Sequence, residues 1–368
     1  MRIGVDAFTF AGLEAGVSRY LTEVLTVLMR ASPQDEFTLY SPVPIVVPSL
    51  PRTCEVRLPR GWRKVVPGFW SLDTLPRLVC ADEIEVFWGQ NSTLPLRLRR
   101  PCRRVLTVHD LTTMVFPETM DAKQRVSSGV RLRALVRAAD TIVADSHATA
   151  RLLNRLLSVS MSKIEVVHLG CTGAIGPLPA GVARRAVRER FALPDDFMLT
   201  VGTLEPRKDH ATLMEALTLK KGLPLLVIVG GVGWKSRSIV SLVEAAEAKG
   251  LVRFLGRVTD SELAALYGAA RLLVYPSLYE GFGLPVLEAM VCGCPVLCSW
   301  SSSLPEVGGR AARYFRPHDA RDLAGRLDEL VSDESRAAEM RARGFAQAAR
   351  FGYDRAAREL FKLFHGIR

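Results

Sequence analysis

The chain has 368 residues, a formal net charge of +11 and 48% hydrophobic residues. This length is typical of two domains, and the apolar content supplies a core for each, which excludes a disordered chain. The positive charge is spread over both halves and is not interleaved with stacking aromatic residues, so we expect no nucleic-acid binding. An anionic substrate or an anionic membrane surface accounts for the charge as well.

The N-terminal residues and the cysteines predict a cytoplasmic protein. The first apolar segment, Ile3 to Val5, is too short for a secretory signal, and no apolar run reaches the ~18 residues of a membrane span. The seven cysteines form no Cys-x-x-Cys pair, which predicts reduced, structural thiols. Cys292, Cys294 and Cys298 cluster without a nearby histidine, so we predict no metal site. We expect a soluble protein or one bound peripherally to the inner face of the membrane.

Apolar strands alternate with amphipathic helices along the chain. The first series of predicted strands comprises Ile3 to Asp6, Phe37 to Tyr40, Val86 to Trp88, Arg104 to Val108, Thr141 to Ala144 and Ile164 to His168. The rhythm restarts with Phe197 to Val201, Leu225 to Val229, Val252 to Leu255, Leu272 to Tyr275 and Pro295 to Cys298. Such alternation predicts an α/β protein with two doubly wound, Rossmann-like domains.

A segment rich in glycine and proline, residues 173–182, is the best candidate for the linker. It separates a first domain, residues 1–172, from a second, residues 183–350, and residues 351–368 form a last amphipathic helix. Ligands of doubly wound sheets bind at the carboxyl ends of the strands. We therefore expect the two domains to face a cleft that contains the site.

The most informative stretch is Glu280 to Glu288, in which a glycine-rich turn joins a short apolar strand to a helix. Backbone N–H groups near Gly283 and Leu284, at the helix start, favour an anion. Carboxylates at both ends suit sugar hydroxyls because each accepts several hydrogen bonds. A simpler interpretation of the two glutamates alone is equally good: one interacts favourably with the helix dipole, and the other is a solvated surface residue.

Two further turns predict contacts with a phosphorylated ligand. Gly202 follows a buried strand and leads to Arg207 and Lys208, of which the arginine can grip phosphate oxygens as a fork and the lysine as a point charge. Gly16 lies at the start of the first long helix, where it would let the backbone approach a phosphate. An ordinary basic turn and ordinary turn geometry are the simpler interpretations of each turn alone.

One histidine lies where a ligand could reach it. His109 ends the strand Val105 to Val108, so its side chain is expected in the cleft. A His-Asp pair at a strand end is more often a loop hydrogen bond than a catalytic group. His147 is interpreted as structural, with Asp145 or Ser146 capping the helix that follows.

The glycines at 230–233 follow a strand as a dinucleotide-binding turn would. The Gly-x-Gly-x-x-Gly spacing is absent, however, and no acid closes a second strand in the expected frame. A dehydrogenase is therefore the weaker enzyme hypothesis.

Taken together, the motifs resemble the retaining glycosyltransferases of the GT-B fold. The landmarks, in order over nearly the whole chain, are the Gly16 loop, Val108 to Leu111, Gly202 to Lys208, Gly230 to Trp234, Leu255 to Val258, Glu280 to Glu288 and Ser303 to Val307. The Glu-Pro-Arg-Lys and Gly-Trp motifs are most similar to those of bacterial O-antigen and polysaccharide mannosyltransferases, which commonly use GDP-mannose.

The resemblance implies a role for each candidate residue. His109 would contact the primary hydroxyl of the transferred sugar, Glu280 its far edge and Glu288 the ribose, while Arg207 and Lys208 meet the diphosphate. The implied donor-binding residues are Gly16, Gly202, Arg257, Val258, Gly281, Phe282, Gly283, Leu284 and Glu288, with the base near Arg257 and Val258. No Asp-x-Asp signature occurs in a plausible cleft turn, so we expect transfer without a metal and no cofactor beyond the nucleotide sugar.

The expected function is transfer of a hexose, with mannose from GDP-mannose as the first choice, to a lipid-linked or polysaccharide acceptor in cell-surface glycan synthesis. GDP-rhamnose, dTDP-rhamnose or a UDP-sugar as donor, a nucleotide-sugar epimerase and a non-catalytic nucleotide-sugar-binding protein remain alternatives. Basic residues of the first domain would contact an anionic membrane, or form an ordinary solvated loop: Arg60, Trp62, Arg63, Lys64, Arg97, Arg99 and Arg100.

Overall fold

The computed structural model describes residues 1–12, 15–59, 70–90, 93–99, 101–117 and 122–367, without the side chains of residues 15, 122–128 and 180. The chain forms two compact units. The first comprises residues 1–170 and 352–368, and the second comprises residues 171–351. These boundaries lie beside the predicted ones, and the last helix belongs to the first unit.

The first unit contains a parallel sheet in which the described strands follow the order β3-β2-β1-β4-β5-β6-β7. Its strands are β1 (Arg2–Asp6), β2 (Glu36–Tyr40), β3 (Glu55–Arg57), β4 (Val86–Gln90), β5 (Arg103–Val108), β6 (Thr141–Ala144) and β7 (Ile164–Val166). Its helices are α1 (Ala15–Ala31), α2 (Leu75–Ala81), α3 (Thr112–Val115), α4 (Ala122–Ala138), α5 (His147–Leu157) and, from the C-terminus, α14 (Tyr353–His365). The central strands are buried and apolar, as a sheet covered on both faces requires.

Helix α14 completes the core of the first unit. The ring of Phe364 packs against Trp88 of β4 at 5.5 Å, and Tyr353 packs against Tyr20 of α1 at 6.3 Å. Its buried residues recur at helical spacing, so one face of the helix covers the sheet.

The second unit contains a parallel sheet with the strand order β10-β9-β8-β11-β12-β13. Its strands are β8 (Phe197–Val201), β9 (Leu225–Val229), β10 (Val252–Gly256), β11 (Leu272–Tyr275), β12 (Val296–Ser299) and β13 (Arg313–Phe315). Its helices are α6 (Ala180–Phe191), α7 (His210–Leu219), α8 (Arg237–Ala248), α9 (Asp260–Ala269), α10 (Leu284–Val291), α11 (Leu304–Gly308), α12 (Ala320–Val331) and α13 (Glu334–Ala348). The predicted fold class, two doubly wound α/β units, is confirmed.

The structure differs from the sequence prediction at two short edge strands and at the start of one helix. The short edge strands β3 and β13 were not predicted, because Glu55–Arg57 and Arg313–Phe315 lack an apolar run. Helix α6 begins at Ala180, inside the predicted linker 173–182, with Pro179 as its N-cap residue. In the part of the chain that the structure describes, no helix combines the length and the apolar character needed to cross a membrane.

Candidate active site

The turn after β8 places two cations at the carboxyl end of that strand. Gly202 has a φ of +154°, and a β-carbon on the neighbouring Gly230 would lie 2.1 Å from its carbonyl oxygen. This close backbone approach requires glycine at position 230. Pro206–Lys208 then form a short 3₁₀ turn, which Asp209 ends in a left-handed conformation. Arg207 and Lys208 are thereby presented together from one turn.

Both cations contact the same carboxylate. Arg207 Nη1 lies 3.0 Å from Glu280 Oε2, and Lys208 Nζ lies 2.5 Å from Glu280 Oε1. Arg207 Nη2 also donates to Glu205 at 2.6 Å, and Lys208 Nζ donates to the hydroxyl of Tyr275 at 2.7 Å. The structure thus brings together Arg207, Lys208 and Glu280, which the sequence predicted as one site.

The charges of this cluster determine how its carboxylate ionises. Burial of Glu280 favours the neutral acid, but Lys208 and Arg207 outweigh that effect and lower the pKa of the carboxyl to about 2. Hydrogen bonds from Ser277 at 2.5 Å and Tyr275 at 2.8 Å also stabilise the anion. Glu280 is therefore a carboxylate at neutral pH, able to accept hydrogen bonds from hydroxyl groups.

Two serines hold the Glu280 loop from the neighbouring strand connection. The N–H of Glu280 donates to the Ser302 hydroxyl at 2.8 Å, and the Ser303 hydroxyl donates to the carbonyl oxygens of Glu280 at 3.0 Å and Phe282 at 2.6 Å. Gly283 then has a φ of +108° and precedes helix α10 as its N-cap. The backbone at Glu280 is consequently fixed, and Leu284 begins the helix as predicted.

Glu288 lies one turn into α10 and is 6% exposed. One of its carboxylate oxygens accepts a hydrogen bond of 3.0 Å from Tyr267 of α9. Gly281 and Phe282 are buried in the preceding turn, and the Phe282 ring packs edge-on against Phe351 at 5.7 Å. Of the predicted pair, Glu280 is therefore half-buried in the turn before α10, and Glu288 is buried within the helix.

The remaining predicted donor-binding residues lie on two different units. Arg257 is exposed after β10, with its Nε 3.0 Å from where a β-carbon on Gly231 would lie, and Val258 is half-buried. Gly16 is exposed in the first turn of α1, where a β-carbon would meet no atom within 4 Å. Close packing therefore does not require glycine at position 16, and its predicted role depends on a ligand.

His109 belongs to the first unit and ends β5 as predicted. Its Nδ1 lies 2.7 Å from Asp145 Oδ2 and its Nε2 lies 3.2 Å from Gln90 Oε1. The ring also packs edge-on against Tyr20 at 5.0 Å. Ser146 caps helix α5 by accepting from Thr149 N–H, whereas the carboxylate of Asp145 contacts His109. Of the two capping candidates, the structure therefore selects Ser146.

Sequence reasoning missed several residues that complete these clusters. They are Gln90, Asp145, Glu205, Tyr267, Tyr275, Ser277, Ser302 and Ser303. Most are distant in sequence from the group they contact, so no local pattern identifies them. Glu205 and Ser277 are exceptions, since each lies within three residues of a predicted site residue and carries a polar group at a strand end.

Two families match the chain. "Glycosyl transferases group 1" matches residues 184–347 and "Glycosyltransferase Family 4" matches residues 16–172. Among curated proteins, O-antigen chain mannosyltransferase B of Escherichia coli is 35% identical over 277 residues, covering 73% of this chain and 71% of the relative.

Two other comparisons show similarity that is limited either in coverage or in sequence identity. The serotype-specific mannosyltransferase WbdA of Escherichia coli is 32% identical over 269 residues, which are 69% of this chain but only 32% of WbdA. The chain thus corresponds to about a third of that larger protein. The solved sucrose-phosphate synthase of Thermosynechococcus elongatus superposes with a TM-score of 0.80 over 100% of this chain and 99% of that one, at 22% identity. That likeness shows the fold alone.

Proposed function

Because this chain belongs to the group 1 glycosyltransferases, with a family 4 segment in its first half, we propose that it transfers mannose from GDP-mannose. The acceptor is a lipid-linked glycan or polysaccharide of the cell surface. Support for mannose comes from the 35% identity with an O-antigen chain mannosyltransferase of Escherichia coli. The observation that carries the proposal is the buried contact of Arg207 and Lys208 with Glu280. It places two cations that can bind an anion beside a carboxylate that can accept hydrogen bonds from hydroxyl groups.

In this proposal the cations bind the diphosphate of the donor. Both side chains are 14% exposed or less, so their attraction for an anion is weakly screened. Arg207 Nε is a buried donor without a hydrogen-bond partner among the described residues. Backbone N–H groups near Gly283 and Leu284 add to the field at the start of α10. Gly16 and Gly202 leave room for phosphate to approach the backbone.

The other predicted residues bind the remaining parts of the donor. Glu280 accepts from hydroxyls of the sugar, Glu288 accepts from the ribose, and Arg257 and Val258 adjoin the base. His109 binds the primary hydroxyl of the sugar. Asp145 and Gln90 orient its ring.

The chemistry proposed is retaining and needs no metal. The bond between the anomeric carbon and the diphosphate oxygen breaks, and the acceptor oxygen bonds to that carbon from the same face. The acceptor proton passes to a phosphate oxygen of the leaving group. Arg207 and Lys208 stabilise the charge that develops on the diphosphate, which makes electrostatics and orientation the main contributions of the protein.

We propose that the reaction takes place at the cytoplasmic face of the membrane. Arg97 and Arg99 are exposed and alternate with Leu96 and Leu98, which pack on the core of the first unit. Two outward arginines can contact anionic lipid headgroups. The other predicted membrane residues lie outside the described part of the chain: Arg60, Trp62, Arg63, Lys64 and Arg100. Sedimentation with anionic and neutral liposomes tests this part of the proposal, and equal absence of binding would refute it.

Calorimetric titration tests the donor site. GDP, UDP, ADP and dTDP, with the matching sugar nucleotides, are titrated into the unaltered protein and Glu288→Ala in metal-free buffer. We expect GDP and GDP-mannose to bind most tightly and to bind the variant about tenfold more weakly, as for loss of hydrogen bonds to a charged group. Preference for another base would refute the proposal that GDP-mannose is the donor. Absence of all nucleotide binding would refute the proposal that the protein is a glycosyltransferase of this kind.

A further inference from the structure

Four charged side chains balance one another in the proposed donor site. Arg207 and Lys208 face Glu205 and Glu280, and the four side chains are between 10% and 14% exposed. Both cations already donate to Glu280 at 2.5 and 3.0 Å. A diphosphate that binds these cations therefore competes with the Glu280 carboxylate for them.

Resting on the proposed function, we propose that Glu280 competes with the diphosphate for Arg207 and Lys208, and that this competition makes the site select the intact sugar nucleotide over its nucleoside diphosphate product. A buried carboxylate that loses its cations costs free energy unless new donors reach it. The hydroxyls of a sugar attached to the diphosphate are such donors. A bare diphosphate brings none, so it leaves the carboxylate with the hydroxyls of Ser277 and Tyr275 as its donors and with weaker cation contacts.

The backbone around Glu280 prevents the carboxylate from withdrawing. The N–H of Glu280 donates to Ser302 and its carbonyl oxygen accepts from Ser303, so the peptide units on both sides of this residue are held. Ser277 and Tyr275 also donate to its side chain. The competition is therefore a fixed property of the site.

Glu205 is a weaker competitor than Glu280. Its carboxylate contacts Arg207 Nη2 at 2.6 Å, whereas Glu280 contacts both cations. Glu205 also lies at the N-cap of the turn that carries Arg207, so both residues belong to one local element. It positions the guanidinium, while Glu280 exchanges partners. After transfer, the product diphosphate loses the sugar hydroxyls, Glu280 regains the cations, and release of the product is favoured.

The test compares unaltered protein, Glu280→Gln and Glu215→Gln by calorimetric titration with GDP, GDP-mannose and inorganic pyrophosphate. Glu215 is an exposed residue of α7, so its variant matches the change in charge. We expect Glu280→Gln to bind GDP and pyrophosphate about tenfold more tightly, within the usual range of coupling between two ligands of one site. The ratio of the GDP to the GDP-mannose dissociation constant should fall, and Glu215→Gln should leave it unchanged.

Unchanged or weaker binding of pyrophosphate to folded Glu280→Gln would overturn the inference. If the unaltered protein binds no nucleotide, the proposed function fails, and the pyrophosphate series still decides whether Glu280 competes. A second measurement needs no variant: methyl α-D-mannopyranoside is titrated with and without saturating GDP. We expect GDP to tighten binding of the mannoside about tenfold, because it releases Glu280 from the cations. Equal affinity in both titrations would overturn the inference.

Discussion

His109 Nδ1 lies 2.7 Å from the carboxylate of Asp145, at the carboxyl ends of the neighbouring strands β5 and β6. A carboxylate only accepts hydrogen bonds, so the proton of a neutral ring belongs on Nδ1. Gln90 Oε1 faces Nε2 at 3.2 Å, while Gln90 Nε2 is buried without a hydrogen-bond partner among the described residues. Exchanging the amide oxygen and nitrogen directs a donor at Nε2. In that orientation, Nε2 of a neutral ring accepts the hydrogen bond.

Replacing Asp145 by asparagine should reduce transfer while leaving the fold intact. An amide can donate as well as accept, so it no longer fixes the proton on Nδ1. We expect kcat to fall about a hundredfold, as for misplacement of a group that orients the substrate. Initial rates as a function of pH measure the effect. Asp140→Asn, at an exposed carboxylate of the same unit, is the matched control, and equal rates for both variants would contradict the role of Asp145.

Removing both cations should abolish turnover. In a double variant, Arg207→Ala with Lys208→Ala, the diphosphate loses its charge partners, and we expect the transfer rate to fall more than a hundredfold. Glu280 also loses both of its cations, so the melting temperature should fall by several degrees. Circular dichroism should still show a folded α/β protein.

The matched control for the cation pair is Lys220→Ala with Lys221→Ala, which changes the charge equally on a different surface of the same unit. We expect it to retain the transfer rate of the unaltered protein. A near-normal rate in the Arg207 and Lys208 double variant would contradict the proposed electrostatic mechanism.

Replacing Asp6 should change how stability depends on pH. Burial raises the pKa of Asp6 from 3.8 to about 7, although the N–H of Phe8 donates to it at 3.2 Å. Between these two values the folded protein binds a proton that the unfolded chain does not, so its stability falls as the pH rises through this window. Asp6→Asn should remove that decline. Melting temperatures from pH 4 to 8 measure it, and an equal slope in both proteins would show that Asp6 does not titrate there.

Gly230 and Gly325 should respond to alanine in opposite directions. A β-carbon at Gly230 would lie 2.1 Å from the Gly202 carbonyl, whereas one at Gly325, inside α12, meets no atom within 4 Å. We expect Gly230→Ala to destabilise the second unit by about 3 kcal/mol and Gly325→Ala to stabilise it by about 0.5 kcal/mol. Urea unfolding compares them. Gly230→Ala of normal stability would show that the two turns are not packed against each other.

The sequence predicted the fold well because strands buried on both faces carry continuous apolar runs. The strands Leu225–Val229 and Leu272–Tyr275 have the predicted bounds. The edge strand β13 has an exposed arginine at its first residue and only three residues, so no periodicity reveals it. The predicted start of helix α10 near Leu284 is also confirmed, since its glycine turn and apolar spacing are both local.

The candidate site could be predicted only as far as local patterns reach. Arg207, Lys208 and Glu280 stand out because each follows a strand, and parallel strands bring their carboxyl ends together. Their mutual ion pairs, and the contact of Asp145 with His109, depend on tertiary packing across more than thirty residues. A single sequence contains no regular spacing of residues that would reveal such contacts. Asp145 was therefore interpreted only as a possible helix cap.

The central claim, mannosyl transfer from GDP-mannose, is tested most directly by incubating the protein with GDP-mannose and a synthetic lipid-linked α-mannoside. Mass spectrometry and proton NMR then identify the product and its anomeric configuration. We expect GDP release that requires the acceptor, and an acceptor extended by one α-linked mannose. An unextended acceptor, with the sugar nucleotide bound unchanged or its sugar altered without an acceptor, would contradict the claim and favour a binding protein or an epimerase.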